Sequence, residues 1–184
     1  NENSDRVVGV PQMSRWSYSD SKALEEAFGL AYHKEQGLKV NIVRLFNTVG
    51  PGQLGDFGMV IPRFVQAAIR NLDIEIYGDG KQTRSFCYVS DLVEGIYKLL
   101  QLDKNPETPI NLGNPNEFTI LELAKVVIEI TNSKSEIVNN PLPLDDPKQR
   151  CPDISLAKST LNWKPTIELR EGIEKTAAYF KQII

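Results

Sequence analysis

A chain of 184 residues is long enough for one good hydrophobic core, or one core with a small appended lobe. Hydrophobic residues at 41% and charged residues at 24% are ordinary for a water-soluble globular protein, and a net charge of −3 with scattered basic residues leaves no electrostatic footprint for nucleic acid. The two cysteines, Cys87 and Cys151, match no metal-ligand spacing and read as reduced thiols; with no apolar run of membrane-span length and no secretory signal, a cytoplasmic protein without metal or membrane is expected.

Residues 1–16, rich in Asn, Ser, Asp and Gly, read as loop. A helix is predicted over 17–35, with Ser17 or Ser19 as cap and Leu24, Phe28, Ala31 and Tyr32 in an apolar stripe at helical spacing; Gly37 ends it. Residues 38–46 form a β-branched apolar run that suits a strand covered on both faces, as in a parallel sheet. Asn47 and Thr48 follow at its carboxyl end, where open parallel sheets bind ligands.

A loop at 53–58 leads to a helix at 60–71 that starts at Pro62, a favoured first-turn residue. Short strands are predicted at 74–77 and 83–89 around a turn at 78–80, then an amphipathic helix at 91–102 capped by Ser90. A strand at 109–112 precedes a helix at 120–131, where Thr119 and Glu122 have capping-box spacing. A strand at 136–138 and a proline-rich extended stretch at 139–152, with Asp145, Asp146 and Arg150, lead to helices at 155–161 and 169–183. Alternating strands and helices make this an α/β chain.

The chemistry starts with Tyr18 and Lys22. Four residues apart on a helix, they share one face, and an ammonium beside a phenol favours phenolate. Such a pair is suited to taking a proton from a sugar hydroxyl while hydride leaves for a nicotinamide ring. His33, with no nucleophile placed to use it, reads as a surface residue. A nicotinamide enzyme ordinarily opens with a strand, a Gly-x-x-Gly-x-x-Gly turn and a helix. The chain is expected to lack that turn, and so to be the second half of a larger protein.

Further stretches extend the pattern: VRLFNTVGP at 43–51, MVIPRFVQAAI at 59–69, IEIYGDGKQTRSFCYVSDLVEGI at 74–96, INLGNPNEFTILELA at 110–124 and DDPKQRCPDISLAKSTLNW at 145–163. Together with Tyr18 and Lys22 they resemble the extended short-chain dehydrogenases that act on nucleotide sugars, over essentially the whole chain. The resemblance implies the C-terminal part of a Rossmann-like doubly wound parallel sheet plus a small α/β substrate-binding lobe. Residues 1–50, with 84–113 returning to them, would belong to the dinucleotide domain, and 51–83 and 114–184 to the lobe. It implies NAD as cofactor, a UDP-sugar or other nucleotide sugar as substrate, and a homodimer when intact. Tyr18 and Lys22 would be catalytic and, with Phe46, would contact the cofactor. Asn47 and Arg84 would hold the diphosphate, Val60, Ile61 and Tyr77 the base, and Arg150 would stand near the diphosphate or sugar, with Asp153 following it as a further substrate-binding residue. Two guanidinium forks matched to a diphosphate are a sound physical basis for that assignment. UDP-glucose 4-epimerase chemistry is the leading expectation; UDP-glucuronate decarboxylation and a non-catalytic UDP-sugar-binding fragment are the alternatives.

Overall fold

A computed structural model of the chain describes residues 1–13, 15–55, 59–104, 106–142 and 149–184. Residues 56–58 of the expected loop at 53–58 and the acidic pair Asp145 and Asp146 lie outside the described residues.

Helix α1 (Arg15–Gln36) starts before the expected caps, so Ser17 and Ser19 lie inside its first turns. Gly37, at φ 67°, closes it with a bond from its N–H to the His33 carbonyl. Strand β1 (Val43–Leu45) pairs in parallel with β6 (Ile110–Leu112), Val43 opposite Ile110. The ladder is shorter than the expected strand at 38–46 and is not covered on both faces: Leu45 is 52% exposed. Two contacts hold α1 beside it. The Arg44 guanidinium grips the Glu26 carboxylate at 2.8 and 2.7 Å, and Gly29 lets Val40 and Ile42 approach the helix closely.

Strand β2 (Thr48–Val49) pairs in parallel with β5 (Cys87–Tyr88), and β3 (Ile74–Tyr77) with β8 (Ile137–Asn140). The stretch expected as one strand at 83–89 serves two sheets. Its first part, β4 (Thr83–Ser85), runs antiparallel to β7 (Glu117–Thr119), an element the sequence reading missed; its second part is β5. Asn47 sits at the changeover, its amide donating to the Ser85 carbonyl at 3.0 Å and its own carbonyl accepting from the Cys87 N–H at 2.9 Å.

Helices α2 (Val60–Ile69), α4 (Ile120–Thr131) and α6 (Leu169–Ile183) enclose the larger buried cluster, which includes Phe64, Ile74, Leu123, Ile173 and Phe180. Helices α3 (Val89–Leu100) and α5 (Ser155–Leu161) pack with β6 in a second cluster around Cys87, Leu112 and Trp163. The capping box of α4 forms as expected, Glu122 N–H to Thr119 Oγ1 at 3.0 Å and Thr119 N–H to Glu122 Oε2 at 2.8 Å. Pro62 is the third residue of α2 rather than its first, still within the turn whose N–H groups have no partner in the helix. Tyr88, not Ser90, is the cap position of α3.

The Gly-x-x-Gly-x-x-Gly spacing, expected to be absent, does occur at Gly52, Gly55 and Gly58 between β2 and α2. A Cβ at Gly55 would meet the end of the Gln66 side chain of α2, whereas nothing lies within 4 Å of one at Gly52. At Gly55 the missing side chain leaves room for the end of the Gln66 side chain.

Candidate substrate cleft

A cleft of about 400 Å³ opens where the first turn of α2, strand β3, strand β4 and the start of β2 converge. Asn47, Val60, Ile61, Tyr77, Arg84 and Arg150 all line it. These six expected substrate contacts come from five separate stretches of chain, and only the tertiary fold brings them together.

Each is placed by local structure. Asn47 is anchored on the Ser85 carbonyl. Val60 and Ile61 open α2, so their N–H groups are among those with no helical acceptor. Tyr77 ends β3, and its carbonyl accepts from Gln82 Nε2 at 2.8 Å. Arg84 is the middle residue of β4, with Nη1 donating to the Thr83 carbonyl at 2.7 Å. Arg150 is fixed by its own carbonyl, which accepts from Ser85 Oγ at 3.3 Å.

The sequence reading missed Arg63 and Glu75. Arg63 lies 5.5 Å from the centre of the Tyr77 ring and 3.8 Å from the Glu75 carboxylate, so a cation covers one side of the expected base-packing aromatic. Position 63 falls on the first turn of an amphipathic helix and carries no distinguishing signal in the sequence. Among the described residues that line the cleft, three arginines face one carboxylate, Glu75. That excess of positive charge suits a group with about two negative charges, such as a diphosphate.

Tyr18, Lys22, Phe46 and Asp153 are not among the lining residues. Tyr18 is 70% exposed on α1, its hydroxyl clear of packed hydrocarbon. Lys22 Nζ lies 5.8 Å from the centre of the Tyr18 ring and pairs with Glu25 at 2.8 Å, a hydrogen bond that raises the lysine's pKa. A phenol and an ammonium side by side and open on one helix face can both hydrogen-bond to ribose hydroxyls, so the residues present fit a nicotinamide cofactor. Phe46 sits at the end of β1, its N–H bonded to the Leu112 carbonyl and its Cβ close against Gly113.

Asp153 lies apart from the six cleft residues. Its carboxylate accepts from the Ser155 N–H at 2.9 Å, and the hydrogen bonds from Ser155 hold it below the usual carboxylate range. Its carbonyl accepts from Asn111 Nδ2 at 3.1 Å. The residue stands just before α5, beside a depression that it lines with the first residues of the chain. Among the described residues, no group of three or more His, Cys, Asp or Glu could hold a metal ion, and no helix is long and apolar enough to cross a membrane.

Known proteins share both sequence and fold. The family model for GDP-mannose 4,6 dehydratase matches residues 9–176. UDP-glucuronic acid decarboxylase 1 of Arabidopsis thaliana is 47% identical over 174 residues, covering 95% of this chain and 40% of the relative. The decarboxylase 1 of Danio rerio is 41% identical over 168 residues, again 40% of the relative, so the chain spans well under half the length of these relatives. Among solved structures, the UDP-N-acetylglucosamine 4-epimerase of Methanobrevibacter ruminantium, in complex with UDP-N-acetylmuramic acid, superposes with a TM-score of 0.90 at 26% identity, over 100% of this chain and 57% of that one. The UDP-glucuronic acid 4-epimerase of Bacillus cereus, in complex with UDP-glucuronic acid and NAD, superposes with a TM-score of 0.84 at 29% identity, over 100% and 59%. On the match of its family model, supported by this likeness in fold, the chain belongs to the GDP-mannose 4,6 dehydratase family, among the extended short-chain dehydrogenases that modify nucleotide sugars.

Proposed function

We propose that this chain is the nucleotide-sugar-binding portion of an NAD-dependent enzyme, and that the reaction is decarboxylation of UDP-glucuronate. The observation that carries the binding reading is the convergence of Asn47, Val60, Ile61, Tyr77, Arg84 and Arg150 on one cleft rich in arginine. The identity of 47% to a UDP-glucuronic acid decarboxylase favours that reaction over the UDP-glucose epimerisation first expected. Epimerisation is the second reading, favoured by the fold likeness to two 4-epimerases.

In this reading Arg84 and Arg150 take the diphosphate oxygens as paired donors, and the Asn47 amide adds a neutral one. The N–H groups at the start of α2 and the Tyr77 ring hold the base, with Arg63 behind the ring. Lys22 holds the cofactor's ribose and keeps positive charge beside Tyr18, whose oxygen, as phenolate, takes the proton from the sugar 4-hydroxyl. NAD, when bound, supplies the hydride acceptor and donor.

The test has two arms. In calorimetry on this chain, Arg84→Ala and Arg150→Ala should each weaken UDP binding about tenfold or more, since a hydrogen bond to a charged group contributes about 1.5–3 kcal/mol. Unchanged affinity in both variants would remove the diphosphate assignment. In the full-length enzyme, UDP-glucuronate should release carbon dioxide, and Tyr18→Phe should abolish that release while leaving UDP binding intact. Interconversion of 4-epimers without carbon dioxide release would overturn the decarboxylase reading in favour of the second one.

A further inference from the structure

Two of the three arginines that line the cleft, Arg84 and Arg150, follow in the chain residues whose side chains bind one exposed carboxylate on a neighbouring strand. Glu117 opens β7 and stands opposite Ser85 in the antiparallel ladder with β4. Its Oε1 accepts from Thr83 Oγ1 at 2.6 Å, a diagonal neighbour on the same face of the ribbon. Gln149 Nε2 donates to both carboxylate oxygens, at 3.0 and 2.8 Å. Thr83 precedes Arg84 in the chain, and its carbonyl takes the Arg84 Nη1 bond; Gln149 immediately precedes Arg150.

We infer that Glu117 is a positioning residue that sets the spacing between the Arg84 and Arg150 guanidinium groups. It does so by clamping the segment that carries Arg150 onto the strand that carries Arg84. Two further contacts fasten the same segment. The Arg150 carbonyl receives Ser85 Oγ at 3.3 Å, and Cys151 Sγ donates to the Pro115 carbonyl at 3.3 Å. Gln149 and Arg150 themselves belong to no helix or strand. Side-chain bonds to the β4–β7 ribbon therefore fix where the second guanidinium can stand. Bidentate recognition of a diphosphate depends on that separation, whereas recognition of a single phosphate by Arg84 alone does not.

The inference rests on the proposed UDP-sugar site, and its test separates the two. The affinities of UDP and UMP are measured by calorimetry on the unmodified chain and on variants, with circular dichroism as the check on folding. The unmodified chain should bind UDP more tightly than UMP. Glu117→Ala should weaken UDP binding about fivefold to tenfold and leave UMP binding nearly unchanged, so that the UDP-to-UMP ratio collapses. Gln149→Glu, which sets two carboxylates against each other, should do the same. The exchanged pair, Glu117→Gln with Gln149→Glu, keeps the net charge, rebuilds an amide-to-carboxylate bond and should restore the ratio. A variant that merely loosened the fold would weaken both ligands together and would not be rescued by the exchange. A normal ratio in Glu117→Ala, or an exchanged pair no better than Gln149→Glu alone, overturns this role. Should Glu117→Ala fail to fold, Gln149→Glu and the exchanged pair decide by the same ratio. Absence of UDP binding by the unmodified chain overturns the functional reading itself, and this role with it.

Discussion

Cys87 shows how one buried group ties pH to stability. Its side chain is fully buried at the start of β5, and burial, with the nearby Asp91 charge adding to it, pushes the thiol up to about 12 from an ordinary 9.0. The folded pKa lies above the unfolded one, so the stabilisation is fully present below about pH 9. It falls as pH rises towards 12, because the unfolded chain gives up its proton first. The loss is at most about 1.4 kcal/mol per pH unit. Urea denaturation at pH 8 and pH 10.5 should therefore cost the unmodified chain about 1–2 kcal/mol more than it costs Cys87→Ala. An equal loss in both would show that this thiol is not coupled to folding.

Among the elements, the join between α3 and the segment leading to α6 depends on one carboxylate. Asp91, buried in the first turn of α3, accepts from the Thr166 N–H at 3.0 Å, Thr166 Oγ1 at 2.8 Å and the Ile167 N–H at 2.9 Å. Its own carbonyl accepts from Trp163 Nε1 at 2.8 Å. Asp91→Ala would leave two backbone donors and a hydroxyl without their acceptor in a half-buried place, at a cost of about 3 kcal/mol. A shift in the urea midpoint equivalent to less than about 1 kcal/mol would mean that water replaces the carboxylate. A sequence reading finds an acidic residue in the first turn of a helix and assigns it to the helix dipole. Its long-range partners, some 75 residues away, leave no local trace.

At the scale of the molecule, α1 differs from the other long helices. None of its described side chains is buried, and Leu24, Phe28 and Tyr32 of its apolar stripe are 55%, 57% and 59% exposed. Helices α2, α4 and α6, in contrast, share the larger buried cluster. Local opening should therefore be easiest in α1. In hydrogen exchange on this chain, the amides of α1 should exchange well before those of α4. Equal protection of the two helices would show that the apolar stripe is covered in solution.

Much of this was legible in the residues themselves, because it depends on local spacing. Period and capping placed the helices: the Thr119–Glu122 box, the amphipathic face of α2 and the positions of α5 and α6 all agree with the structure. The motif resemblance picked out Asn47, Val60, Ile61, Tyr77, Arg84 and Arg150, and the cleft contains all six. What only the tertiary structure decided are the relations across long stretches of chain. These are the split of residues 83–88 between two sheets, the pairing of Glu117 with Gln149, the closeness of Arg63 to Tyr77, and the bond of Asn111 to the Asp153 carbonyl. Strand partners and side-chain contacts between distant segments are set by how whole elements pack, and a period read along the chain carries no information about which distant segment lies alongside.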